Sequence, residues 1–236
     1  MTTTGDVTVA SVGELLRVAR SIRELQAGAV AVEDVIREVT AATANALPGT
    51  DGAAVSVIRR RASIETLAAT DDRCRLLDEI QSSRGEGPSV SAAANDAPVR
   101  TGDLLTDSRW PRCGRSVAKR AGIRSVLAVP VAVQRHTALL LTACAAPSDA
   151  FDDTAAAVVQ LLATQTAVAY TIAQRDEQFR NALASRDVIG QAKGLLMERF
   201  GVDDARAFQL LKRLSQESNA PVAEIARKLV APDRSR

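Results

Sequence analysis

Histidine occurs once in the 236 residues, at His136, and aromatic residues make up only 3%. A zinc site or a Ser-His-Asp triad would have to be built on that one imidazole, in a stretch that reads as a strand hairpin. The few aromatics are Trp110, Tyr170 and the phenylalanines at 151, 179, 200 and 208. So few argue against a protein that works mainly by stacking on bases or gripping sugars. Cysteine is scarce too: Cys74, Cys113 and Cys144 are odd in number and lack C-x-x-C spacing. Neither G-x-x-x-x-G-K-[ST] nor G-x-G-x-x-G occurs, and Gly85-Glu86-Gly87 reads as a tight turn. The first residues lack a basic segment followed by an apolar core, and no run reaches the roughly 18 apolar residues of a membrane span. A reduced, cytoplasmic, soluble protein with no membrane partner is expected. No catalytic residue, cofactor or metal is assigned.

Charge of one sign is also missing. The chain holds 30 basic and 28 acidic residues, net +2. From Asp176 onward there are 11 basic and 9 acidic residues, so the excess lies in the tail and the first 175 residues are neutral. A broad basic field for duplex DNA is excluded, and any nucleic-acid contact must come from a few placed side chains. What the chain does have is alanine, at 43 positions, which favours helices and their close packing.

Residues 1–11 read as a disordered tail. Val12, Leu15, Leu16, Ala19, Ile22 and Leu25 then recur at helical spacing, and a second helix follows from Val32 to about Asn45. After Pro48-Gly49 the pattern alternates: strands at 53–58 and 63–69 flank a tip at Arg59-Arg60-Arg61. Short helices are expected near 76–82 and 112–121, the second closed by Gly122. The apolar runs 125–133 and 138–145, joined by Gln134-Arg135-His136, form the clearest hairpin. From Phe151 one helix of about 45 residues is expected, capped by Asp152 or Asp153, with an apolar stripe that calls for a partner. Two more helices follow, one capped by Asp203 and one starting at Asn219-Ala220-Pro221. The class is α+β with a helical end. Its boundaries are a first domain at 12–173, a three-helix unit at 174–231 and a tail at 232–236.

Gly85-Glu86-Gly87-Pro88, Asp103-Leu104, Ser108-Arg109-Trp110-Pro111 and Gly122-Ile123-Arg124-Ser125, with the strand after it, resemble an actinobacterial GAF domain. Ser185-Arg186-Asp187-Val188-Ile189-Gly190-Gln191-Ala192-Lys193-Gly194-Leu195-Leu196-Met197 resembles the opening helix of an ANTAR domain, and residues 207–215, Asn219 and Ile225-Ala226 continue it. The resemblance implies an N-terminal GAF sensor, with an antiparallel sheet flanked by helices, joined by a long helix to a three-helix output. Such outputs bind paired stem-loops in nascent RNA as dimers and prevent a terminator from forming. RNA stem-loops, a homodimer through the long helix and a small-molecule ligand in the GAF domain are the partners implied. Two other classes stand beside this one: a GAF-type free methionine sulfoxide reductase using Cys113, whose thiol Arg112 and Arg115 would activate, and a protein-binding signalling adaptor.

On the output helix, Arg186 and Lys193 are seven residues apart and share a face. Gly194 inside a helix costs about 1 kcal/mol against alanine, which close approach of an RNA backbone or of another helix would explain. Lys212, Arg213 and Ser215, with Asn219 in the following turn, complete the candidate RNA surface, although for Asn219 a helix cap is the stronger account. Met197, Phe200 and Phe208 are assigned to the core. The sequence departs from the family pattern at Ala220-Pro221-Val222, where many relatives carry a basic residue after the asparagine.

Overall fold

A computed structural model describes residues 4–59, 62–134 and 137–231. The expected tip at Arg60-Arg61, the turn residues Arg135-His136 and the chain ends 1–3 and 232–236 lie outside these ranges. The chain divides into two compact units, residues 1–172 and 173–236.

The first unit is built on five antiparallel strands: β1 (Gly52–Arg59), β2 (Ser63–Ala69), β3 (Val99–Thr101), β4 (Ser125–Gln134) and β5 (Thr137–Ala145). Their spatial order is β2-β1-β5-β4-β3. The expected hairpin is β4 with β5, and it places β5 at the centre of the sheet, paired along its length with β1 and β4. Because side chains alternate, the two faces carry separate apolar layers. Val55, Val57, Leu127, Val129, Leu139 and Leu141 point to one face. There they meet α1 (Thr4–Gln26), α2 (Val32–Ala46) and the early turns of α6 (Asp153–Phe200). Ala54, Val126, Ala128, Leu140 and Cys144 point to the other face, which α3 (Asp72–Arg84), α4 (Pro88–Asn95) and α5 (Pro111–Arg120) cover.

Three features differ from expectation. α1 runs back to Thr4, so the expected tail is helical from residue 4; once a helix is nucleated, further turns cost little. α4 follows the Gly85-Glu86-Gly87 turn, where the sequence pattern announces no element. Its start signal, Pro88 in the first turn after Gly87, is visible, but Ser-Val-Ser-Ala-Ala-Ala has no amphipathic period to announce a helix. β3 is only three residues long, too short for alternation to show.

α6 spans 48 residues, and the Asp152 carboxylate caps it by accepting the Ala155 N–H at 2.8 Å. One 18-residue window of α6 reaches a mean hydropathy of 1.4, enough by length and composition to cross a membrane. Val159, Leu162 and Ala163 in this helix are buried in the core of the first unit.

In the second unit the end of α6, α7 (Asp204–Ser218) and α8 (Val222–Val230) close on Ala192, Leu196, Ala207, Leu211, Ile225 and Ala226. The assignment of Met197, Phe200 and Phe208 to this core is corrected: they are 37%, 60% and 44% exposed. The core is a thin seam of alanine and leucine. One step along a helix turns a side chain about 100°, which carries Met197 and Phe208 past the seam that Leu196 and Ala207 occupy.

Candidate functional site

Within the second unit, α6 and α7 border a groove of about 620 Å³ lined by Ser185, Arg186, Asp187, Gly190, Lys193 and Phe208, among others. It brings Arg186 and Lys193 together, as their seven-residue spacing requires. The Lys193 ammonium lies 2.5 Å from the Asp204 carboxylate and its side chain is 23% exposed. The first turn of α7 therefore holds this cation at the groove. Phe208 puts an aromatic face in the same wall, and Lys212, one turn further along α7, is exposed on the same side. Gly194 follows on α6 with open space around it: an added Cβ would meet no atom within 4 Å. Among the described residues, no neighbouring helix of this unit explains that glycine.

The remaining candidates separate from this face. Arg213 lines a second groove on α7 with Val202, Arg206, Gln209 and Leu210. Ser215 and Asn219 build the α7–α8 turn. The Ser215 hydroxyl donates to the Ala220 carbonyl at 2.5 Å. Asn219 takes a left-handed backbone conformation (φ 49°) that ends α7, a C-cap rather than the start of α8. Sequence reasoning missed Phe208, Arg206 and Gln209 as surface groups. The four-residue step from Phe208 to Lys212 was the signal available.

In the first unit the motif residues frame the sheet. The Glu86 carboxylate accepts the Arg112 and Cys113 backbone N–H groups at 2.8 and 2.9 Å, capping α5. Burial pushes its pKa up, but these N–H groups and the Arg112 guanidinium hold it below the usual carboxylate value. Gln81 folds beneath Gly87, where φ is 146° and a Cβ would strike the Gln81 amide. Asp103 pairs with Arg124, and Asp107 with Arg109, whose guanidinium stacks 4.2 Å from the Trp110 ring centroid. The Arg109 hydrogen bond, ahead of lesser contacts, brings Asp107 down to about 2.

Cys113 is corrected. It is fully buried, and burial together with the Glu86 carboxylate pushes its thiol up to about 12. Arg112 is paired with Glu86 instead, and Arg115 is exposed. Between α3 and the sheet, Asp78 accepts hydrogen bonds from Ser56 and from Thr66, the latter at 2.8 Å. It is 2% exposed, and burial raises its pKa to about 6 despite those two hydroxyls.

Family comparison matches the GAF domain over residues 29–170 and the ANTAR domain over residues 177–230. The chain belongs to the GAF family and carries an ANTAR domain. This GAF–ANTAR chain is 37% identical over 62 residues to the aliphatic amidase regulator of Pseudomonas aeruginosa. That match covers 26% of this chain and 32% of the relative, about a third of its length.

Among solved structures, the GAF domain of a phosphoenolpyruvate-protein phosphotransferase from Coxiella burnetii aligns with a TM-score of 0.51 at 16% identity. The alignment covers 70% of this chain and 97% of that one. Free methionine-R-sulfoxide reductase from Neisseria meningitidis aligns with a TM-score of 0.50 at 16% identity, covering 69% and 91%. At such identities these likenesses establish the fold of the first unit and nothing of its chemistry.

Proposed function

We propose that the GAF–ANTAR chain is a cytoplasmic RNA-binding antitermination regulator. Its GAF domain senses a signal, and its ANTAR domain, as a homodimer, binds tandem stem-loops in nascent RNA. The observation that carries this is the groove on the ANTAR unit, where Arg186 and Lys193 stand beside Phe208 and the open helix backbone at Gly190. Cations, an aromatic face and uncovered backbone together suit an RNA loop, whose splayed bases and phosphates need all three. Lys212 extends this face, and Arg213 with Arg206 offers further phosphate contacts. Ser215 and Asn219 serve the turn that holds α8 in place.

The dimer is supported by apolar side chains left bare on α6: Leu161 and Val168 in the first unit, Phe179 and Leu183 in the second, all 46–65% exposed. Catalysis through Cys113 is disfavoured, because a buried thiol pushed to about 12 supplies almost no thiolate at neutral pH.

RNA binding by the full chain, titrated against salt, tests the proposal. RNA with two stem-loops should bind more tightly than RNA with one, and affinity should fall as salt rises. Arg186→Ala and Lys193→Ala should each weaken binding about tenfold, the scale of a charge-assisted hydrogen bond. Equal affinity of the wild type and the double variant overturns the groove assignment. Cross-linking in cells that recovers no RNA overturns RNA binding and favours a protein-binding adaptor.

A further inference from the structure

The second buried layer of the GAF unit contains a feature that RNA binding does not use. Cys74 lies in the first turn of α3 and Cys144 near the end of the central strand β5. Their Sγ atoms are 2.7 Å apart, and both residues are at most 2% exposed. A disulfide bond is about 2.0 Å long, so only a small approach separates this contact from a covalent bond.

The surroundings are shaped around the two sulfurs. Gly52 of β1 pairs directly opposite Cys144. A Cβ at Gly52 would stand 2.8 Å from the Cys74 Sγ and 3.0 Å from the Asp71 Cβ. Glycine is what lets the end of α3 press its thiol onto β5. On the solvent side, Asp71 caps α3 by accepting the Arg73 N–H at 2.7 Å, and the Arg73 side chain returns to the same carboxylate. Cys113, on α5, occupies the same apolar layer, but its backbone N–H is tied to Glu86 in the loop between α3 and α4.

We propose that Cys74 and Cys144 are a modification site, a thiol pair that a hydroperoxide converts to an intramolecular disulfide tying α3 to the centre of the sheet. In the closed fold the Cys74 contact and burial push the Cys144 thiol up, so the first step waits until the first turn of α3 opens. The Cys74 thiol then gives its proton to water, and its sulfur attacks a peroxide oxygen. The O–O bond breaks, and a sulfenic acid and hydroxide form; the hydroxide takes up the proton that the thiol released and leaves as water. In the second step the other sulfur attacks the sulfenic sulfur, the S–O bond breaks, and a second water leaves with the remaining thiol proton. Two thiols are oxidised to one disulfide and one hydrogen peroxide is reduced to two waters, which balances atoms and electrons. Cys74 is two residues from the exposed Asp72, in an end turn of the kind that opens before a helix centre does. That gives the oxidant its route. The cross-link joins residues 70 apart and restrains the unfolded chain, so the oxidised protein should melt at a higher temperature.

The test uses the reduced full chain treated with a small excess of hydrogen peroxide, then denatured and alkylated with N-ethylmaleimide. Mass spectrometry should show a single label, on Cys113, and a linked peptide pair containing Cys74 and Cys144. Cys113→Ser should keep the cross-link, and Cys144→Ser should abolish both the cross-link and the rise in melting temperature. Three labelled thiols, a bridge that includes Cys113, a bridge between two chains, or sulfinic acids in place of a bridge would each overturn the proposal. If Cys144→Ser does not fold, the wild-type and Cys113→Ser peptide maps still decide. RNA affinity does not enter, so the outcome is independent of the proposed function.

Discussion

Asp78 is the residue whose chemistry reaches furthest into stability. Its carboxyl is pushed to about 6 in the folded chain, from 3.8 for an unperturbed aspartate, because burial outweighs the hydrogen bonds from Ser56 and Thr66. The folded state then holds the proton more tightly than the unfolded state between about pH 4 and 6. Stability must fall as pH rises through that window, and the penalty is fully present above it, on the order of 3 kcal/mol. Asp78→Asn should remove this slope: in denaturant unfolding the variant should gain clearly more on the wild type at pH 7 than at pH 4.5. Glu86, Asp103 and Asp107 are held below their usual values and act the other way. Their contribution is complete only above their unfolded values, about pH 5 and higher, and is lost as pH falls through their lowered pKa values, so the wild-type curve bends at both ends. At this scale the sequence was least legible. Burial of Cys113 and exposure of Phe208 depend on which neighbour lies across the layer, and the chain around them does not state that.

Among the elements, the long helix and the α7–α8 turn carry opposite uses of special backbone. Gly194 sits in open space inside α6, so Gly194→Ala should stabilise the ANTAR unit by about 1 kcal/mol while weakening RNA binding. Thermal melting and an RNA titration of the same variant would separate the two effects, and unchanged affinity would return Gly194 to a neutral role. Gly114 contrasts with it: a methyl there would run into the Leu104 carbonyl oxygen, so Gly114→Ala should cost several kcal/mol by displacing α5. Most elements were readable because their periods are long. The β4–β5 hairpin, the start of α2, β2 and the extent of α6 all follow from alternation, three-to-four spacing and capping aspartates. α4 and β3 were not readable, since eight small residues and three strand residues are too few to show a period.

For the molecule as a whole, the domain order follows from short motifs with tertiary jobs, such as Glu86 capping α5 and Asp103 pairing with Arg124. The proposed self-association rests, in the sequence, only on an unpaired apolar stripe. Leu161→Lys with Val168→Lys should turn a dimer into a monomer in sedimentation without unfolding the sheet, because both side chains are already about half exposed. A dimer that survives the pair of changes would place its contact elsewhere. The sheet's own outer boundary bears on which contact is available. β3 covers only Val126–Ala128 of β4, and just beyond comes Pro130, with an irregular register between Pro130 and Ala132. Proline offers no N–H to an incoming strand, and the bulge bends the ribbon out of line with any visitor. β4 is thus a poor template for a strand from another copy. On this side of the sheet, opposite the β2 edge, strand-to-strand growth, which has no natural end, finds no continuous template, whereas the proposed helix contact closes as a pair.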